Sequence, residues 1–191
     1  MTRDIWLISD THFCHSNILN FTDAFTGEPV RPDFTDVNHM NSYMIEQWNS
    51  TVKQGDVVYH LGDVAMGPDH KEWMKRYFNR LNGSKRLLVG NHDDVKFLAS
   101  GGWFQKVGLW RQFTEHNLLL SHVPLHPMSS TRGRPDSPVN MVNVHGHIHQ
   151  NQSPPGDYIN VSVEAIDYTP VHIEDIAQQA KKLLEKPNEI L

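Results

Sequence analysis

Five stretches of this chain close on residue types that bind metal ions. "LISDTH" ends with Asp10 and His12, "YHLGD" with Asp63, "LLVGNHD" with Asn91, His92 and Asp93, "LLLSH" with His122, and "VNVHGHIH" with His147 and His149. Carboxylates, imidazoles and an amide oxygen together suit divalent transition metals, and with Cys14 as the one cysteine a thiolate cluster is excluded. On an extended segment, residues i and i+2 project to the same side. Asp10 with His12, and His147 with His149, can therefore each close on a common centre. Gly62, Gly90 and Gly146 stand beside these ligands, where a sharp exit from a strand or a close backbone approach would exclude a side chain. An isolated aspartate at a strand end is ordinarily a turn or cap residue. Five strand ends carrying the same ligand chemistry are not explained that way.

The elements that would hold these groups alternate along the chain. "DIWLIS", "DVVYHLG" and "KRLLVG" read as short buried strands. Between the first two, Val37, Met40, Met44, Ile45, Trp48 and Val52 recur at three and four, which predicts a helix with one apolar face. Trp73, Met74, Tyr77, Phe78 and Leu81 do the same in "PDHKEWMKRYFNRL", with Asn82-Gly83 as a stop. A short helical piece falls near 94–99, "GLWRQFTEHNLLLSH" reads as a hairpin-type pair, and "MVNVHG" and "YINVSVEA" read as strands. "EDIAQQAKKLLEK" is a closing amphipathic helix with its basic residues late. No element is assigned to the polar stretch "HPMSSTRGRPDSPVN". Two sheets packed face to face with helices outside would accommodate both halves.

At 191 residues the chain is read as a single domain, 1–191, able to bury a substantial core. A net charge of −5 argues against a protein that coats nucleic acid, while leaving room for a local cationic site. The N-terminal apolar run is too short for a signal peptide or membrane span, and one cysteine excludes an internal disulfide, so a reducing cytoplasm is expected. His60, inside an apolar strand, reads as a hydrogen-bonded core residue. His145, before the glycine turn, reads as a strand-orienting residue outside the ligand set.

The order Asp-x-His, Gly-Asp, Gly-Asn-His-Asp, a lone His and then Gly-His-x-His resembles the calcineurin-like metallophosphoesterases in their small bacterial and phage-type form. "SDTHFCHSNI", "WNSTV", "YHLGDVA" and "GNHDD" add to the likeness, which spans Asp10 to His149. The resemblance implies the α/β metallo-dependent phosphatase fold, a four-layer αββα sandwich of two mixed sheets flanked by helices, with two metal ions at strand C-termini. It also implies that Asp10, His12 and His149 bind one ion, that Asn91, His122 and His147 bind the other, and that Asp63 bridges them. The glycine usual after "THF" is replaced here by Cys14.

With Asp10 and Asp63 as the only anionic ligands, two divalent ions keep about two positive charges for hydroxide and a phosphate group. Mn²⁺ is the first candidate, with Fe, Ni²⁺ and Zn²⁺ also compatible. The expected reaction is in-line attack of a metal-bridging hydroxide on a phosphate ester. His92 would stabilise charge and protonate the leaving oxygen, with Asp93 as its orienter. Candidate substrate contacts are His15, Asn17, Arg31, Arg132 and Arg134, the arginines because a guanidinium clamps phosphate oxygens in pairs. Phosphodiester or nucleotide substrates, nucleic acid among them, are preferred over phosphoprotein because this length leaves no room for a large substrate-binding appendage. The alternatives are a phosphomonoesterase or protein phosphatase, and a non-catalytic interaction module that retains the fold. The complete ligand set speaks against the last.

Overall fold

The computed structural model describes residues 3–134 and 137–185, with the side chains among them outside 132–138. The first half alternates strand and helix. Strand β1 (Ile5–Ile8) leads by a long loop to α1 (Val37–Thr51), whose first turn is capped by Asp36 accepting from the N–H groups of Asn38 and His39. Then come β2 (Val57–His60), α2 (His70–Tyr77), β3 (Ser84–Leu88), the short α3 (Val95–Ser100) and β4 (Lys106–Gly108). The second half is strand-rich: β5 (Trp110–Phe113), β6 (Leu118–Ser121), β7 (Thr131–Arg134), β8 (Ser137–Asn140), β9 (Val142–His145), β10 (Tyr158–Asn160) and β11 (Val171–His172). Helix α4 (Ile173–Leu184) follows.

These strands build two mixed sheets, in the orders β11-β1-β2-β3-β4 and β10-β9-β6-β5. In the first, β1 to β4 are parallel and β11 antiparallel; in the second, only β5 is antiparallel. Alternation along the strands makes two cores. Ile8, Val58 and Leu87 face Met40, Met44 and Trp48 of α1 and Met74 of α2. Leu7, Val57, Tyr59 and Leu88 face Leu118, Leu120, Val142 and Val144 of the other sheet, where α4 adds Ile173, Ile176 and Ala180. The expected α/β class, two mixed sheets with helices, is what the chain adopts. Among the described residues no helix is long and apolar enough to cross a membrane.

Three departures from the sequence expectations have physical causes. The stretch left without an element contains a one-turn helix at Pro127–Ser130 and the β7–β8 hairpin. Its strands read TRGR and SPVN, and one valine among polar residues, glycine and proline makes no apolar alternation. Strands β4 and β11 have three and two residues, too few for any periodicity. The strand expected over "YINVSVEA" stops at Asn160, whose side-chain oxygen accepts from the Ser162 N–H at 2.9 Å. The chain then crosses to the end of β1, with Ser9 N–H donating to Val161 O at 2.9 Å and Val163 N–H to Ser9 O at 3.1 Å.

Cys14, where the family likeness leads one to expect glycine, has φ of 69°. Left-handed backbone costs an L-residue roughly 1–2 kcal/mol, which accounts for a glycine preference there. The thiol is half-buried, and its backbone N–H donates to Asn41 Oδ1 at 3.1 Å. Cys14→Gly should therefore be more stable than Cys14→Ala by about 1 kcal/mol, read from urea unfolding midpoints of the two variants. Equal midpoints would mean that this loop relaxes to another conformation when the thiol is lost.

Candidate metal centre

Parallel pairing brings strand C-termini to one edge, and that is where the five ligand stretches meet. The pairing continues past the strands: Asp10 N–H donates to Gly62 O and His12 N–H to Asp63 O, both at 3.0 Å. The ligand residues are not extended, as the i, i+2 reading assumed. Asp10, His12, Asp63, His147 and His149 have φ of 58°, 46°, 55°, 71° and 51°. Each turns at a left-handed residue, a conformation that persists only where surrounding structure enforces it and that clusters at functional sites.

Asp10, His12 and His149 bring one ligand atom each within 4.8 Å of one another, and so do Asp10, Asp63 and His122. Asp63 Oδ2 lies 3.6 Å from His12 Nε2 and 3.5 Å from His122 Nε2, between the two groups. Asn91 Oδ1 stands 2.9 Å from His122 Nε2. His147 belongs to neither tight group; its ring packs against His122 with centroids 5.1 Å apart.

Several of the atoms not facing these groups are held from behind. Asp10 Oδ2 accepts from His147 N–H at 2.8 Å and from the Ser162 hydroxyl at 3.2 Å. Asp63 Oδ1 accepts from His92 N–H at 2.9 Å, and His122 Nδ1 contacts Leu61 O at 2.7 Å. An imidazole whose one nitrogen is tied to a carbonyl or carboxylate presents the other to a metal. Asp10 Oδ1 and His12 Nε2, by contrast, are buried without any hydrogen-bond partner, 3.9 Å apart. Orphaned atoms of complementary ligand type fit a cation between them. The glycines make the space. A Cβ on Gly146 would strike Ser9 Oγ and Asp10 Oδ2, one on Gly90 would strike Asp63 Oδ1, and one on Gly62 would stand 2.5 Å from Gly90 N.

The electrostatics match this arrangement. Burial raises Asp10 above the usual carboxylate range. Burial also pushes Asp63 up, but hydrogen bonding and charge from His122 outweigh it and hold Asp63 at about 2. Burial drives His12 down to about 3, which leaves a neutral imidazole, the form that ligates metal. For His149 the Glu164 carboxylate outweighs burial and raises it.

Several expected roles change. Arg31 is not a phosphate clamp: it is 1% exposed, and its guanidinium donates to Glu164 Oε1 at 2.8 and 2.7 Å, to Thr11 O at 3.1 Å and to Asp10 O at 2.8 Å. It braces the ligand loop from behind. Asp93 does not orient His92; its carboxylate accepts from the N–H groups of Gly90, Asp63 and Val64, stapling the β3 loop to the β2 loop. His92 itself is exposed, its ring 5.8 Å from that of His12. His15 stands 5.6 Å from His12, ring to ring. Asn17 is exposed on the one-turn helix Ser16–Asn20 and makes no hydrogen bond to the centre among the described residues. Arg132 and Arg134 lie on β7, and their side chains fall outside those described. His60 and His145 are fully buried, hydrogen-bonded to Thr11 and to Ser153 respectively.

Glu164 was not anticipated. It is buried, and its Oε1 accepts from Arg31 and contacts His149 Nδ1 at 2.9 Å. Burial pushes its carboxyl up, but Arg31 and then His149 hold it at about 2. Its sequence signal is a lone acid after an apolar run, which by itself reads as a cap.

The calcineurin-like phosphoesterase family model matches residues 3–151. The chain belongs to that family. It is 35% identical over 191 residues to Uncharacterized protein MJ1445 of Methanocaldococcus jannaschii, covering 96% of this chain and 93% of that protein. It is 29% identical over 102 residues to the symmetrical bis(5'-nucleosyl)-tetraphosphatase of Shewanella sediminis, 39% of this chain and 36% of that enzyme. The solved structure of AQ665 from Aquifex aeolicus, a protein of unknown function, superposes with a TM-score of 0.67 at 25% identity, covering 93% of this chain and 100% of that one. The chain is thus a metal-dependent hydrolase of the phosphoesterase class.

Glu164→Gln keeps the shape of the side chain and removes the charge shared by Arg31 and His149. Calorimetric titration of the folded variant with Mn²⁺ should give about 10–100-fold weaker binding, and the stranded guanidinium should lower unfolding stability by about 3 kcal/mol. Wild-type Mn²⁺ affinity would show that His149 is held by something other than Glu164.

Proposed function

We propose that the protein, acting as one domain over 1–191, holds two divalent transition-metal ions and hydrolyses phosphodiesters or nucleotides. Asp10, His12 and His149 would hold one ion, and Asn91, His122 and His147 the other, with Asp63 shared. The observation that carries this is the position of Asp63 Oδ2, about equidistant from His12 Nε2 at 3.6 Å and His122 Nε2 at 3.5 Å. Mn²⁺ is the first candidate, with Fe, Ni²⁺ and Zn²⁺ compatible with the same donors. Bound there, a pair of divalent ions lowers the pKa of water and neutralises phosphate oxygens.

The chain's own residues do the rest. Burial keeps His12 neutral and ready to ligate. His92, anchored by its backbone N–H on Asp63 Oδ1 and exposed beside His12, would give a ring proton to the departing ester oxygen. Asp93 fixes the loop from which His92 projects. The nucleotide preference draws support from the tetraphosphatase likeness, which covers only a third or so of each chain. One half-buried cysteine suits a reducing compartment, the cytoplasm.

Asp63→Asn removes the shared anion, so elemental analysis should find fewer than two ions per chain and turnover should fall with them. His92→Ala should keep wild-type metal content and lose on the order of 10²-fold in turnover, more with a poor alkyl leaving group than with an activated aryl one. Equal losses on both leaving groups would assign His92 to charge stabilisation instead. Metal loss comparable to that of Asp63→Asn would make it a ligand.

A further inference from the structure

A cleft of about 220 Å³ opens directly beside His149, walled by Ile18, Phe21 and Val30 and rimmed by Gln150 and Asn151. The volume is below the roughly 300–1,000 Å³ of sites that engulf a drug-sized ligand. It has room for one flat ring system, with the rest of a ligand lying outside. Phe21 is 49% exposed, so half of a large apolar ring is presented to water next to the metal centre. That position is built rather than accidental. Phe21 N–H donates to Ile18 O at 3.2 Å and Val30 N–H to Phe21 O at 2.9 Å, pinning the backbone on both sides.

The loop after Phe21 is folded on itself. Asp23 accepts from the N–H groups of Phe25 and Thr26 and from the Thr26 hydroxyl. Across the cleft, Gln150 Nε2 donates to Asp23 Oδ2 at 2.9 Å, tying the two walls together. The cleft is also linked to the centre through rings: His15 meets the Phe21 ring edge-on at 5.7 Å and lies 5.6 Å from the ring of His12. Asn151 Nδ2 donates to Ile148 O at 2.8 Å as Gln150 Nε2 does to Asp23, so an aromatic face with amide oxygens at its rim matches a planar heteroaromatic ring whose edge carries N–H donors.

We propose that Phe21 is the stacking platform for the nucleobase of a nucleotidyl substrate whose phosphate occupies the neighbouring metal centre. This rests on the phosphoesterase reading above and narrows its substrate class. Stacking on an aromatic side chain contributes about 1–3 kcal/mol per base and tolerates any base, so Phe21 would select nucleotides over other esters without selecting among nucleotides.

Two 4-nitrophenyl phosphodiesters that share leaving group and scissile bond test this, one esterified to the 5′ oxygen of thymidine and the other to methanol. With Mn²⁺-loaded protein, the kcat/KM ratio of thymidine ester to methyl ester should exceed one by about tenfold or more. It should fall about tenfold in Phe21→Ala and recover in Phe21→Trp. A wild-type ratio near one, or an unchanged ratio in Phe21→Ala, overturns the base site and leaves the phosphoesterase reading standing. If neither ester is hydrolysed with Mn²⁺, Ni²⁺ or Zn²⁺, the phosphodiesterase reading falls. The base site then stands or falls on binding. Thymidine, which has no phosphate, should bind metal-free protein in an NMR titration and bind about tenfold more weakly to Phe21→Ala. No wild-type binding, or equal binding by the two proteins, overturns it.

Discussion

Asp10 and Asp63 are 0% and 2% exposed, and both reach toward the same imidazoles. Taking a carboxylate out of water costs several kcal/mol, and a second one beside it adds repulsion. Protonation or nearby positive charge must offset that. One oxygen of each is satisfied locally, Asp10 Oδ2 by His147 N–H and Ser162, Asp63 Oδ1 by His92 N–H. Asp10 Oδ1 and Asp63 Oδ2 are left facing His12, which burial keeps neutral. His122 Nε2, 3.5 Å from Asp63 Oδ2, supplies part of the countercharge, and a metal cation among these donors would supply the rest.

The backbone serves the same end at some local expense. Five candidate ligand residues sit in left-handed conformations that L-residues rarely adopt. Gly62, Gly90 and Gly146 let neighbouring segments come closer than any Cβ would permit. The loops are then locked from outside the site. Asp93 takes N–H groups from two of them, and Arg31, pressed behind Asp10 and Thr11, is neutralised by Glu164, which also fixes His149. A buried pair of this kind is sensitive to loss of either partner, because the other is left charged and dry. This is how Arg31, Glu164 and Asp93, each bonded to a candidate ligand residue from behind, can govern the geometry of the cluster.

Around this rigid centre the surface is less uniform. His92 projects into solvent from a loop whose base is immobilised, which leaves its ring free to meet a substrate while its backbone holds Asp63. Phe21 and its folded loop stand beside His149, while the β7–β8 hairpin follows His122 in the chain. Binding and selectivity in such a fold belong to loops carried by a fixed scaffold, and those loops are where relatives of one family can differ.

The α/β class, the buried strands and the amphipathic helices α1, α2 and α4 are legible in the sequence, because apolar periodicity is local and strong. The candidate ligand types at strand ends, Asp-x-His and Gly-His-x-His among them, are equally legible there. Packing between distant segments sets which nitrogens and oxygens meet, makes the backbone at the candidate ligands left-handed rather than extended, and turns Arg31 and Asp93 to bracing loops. Glu164 became a partner of His149 through a chain crossing after Asn160, where Val163 N–H reaches Ser9 O in a pairing that no single segment's pattern carries. An arginine's charge or an aspartate's hydrogen-bonding capacity is written in its type. Whether it faces a ligand or a carbonyl depends on which distant segments pack against it, and that is set by the pairing of strands far apart in the chain.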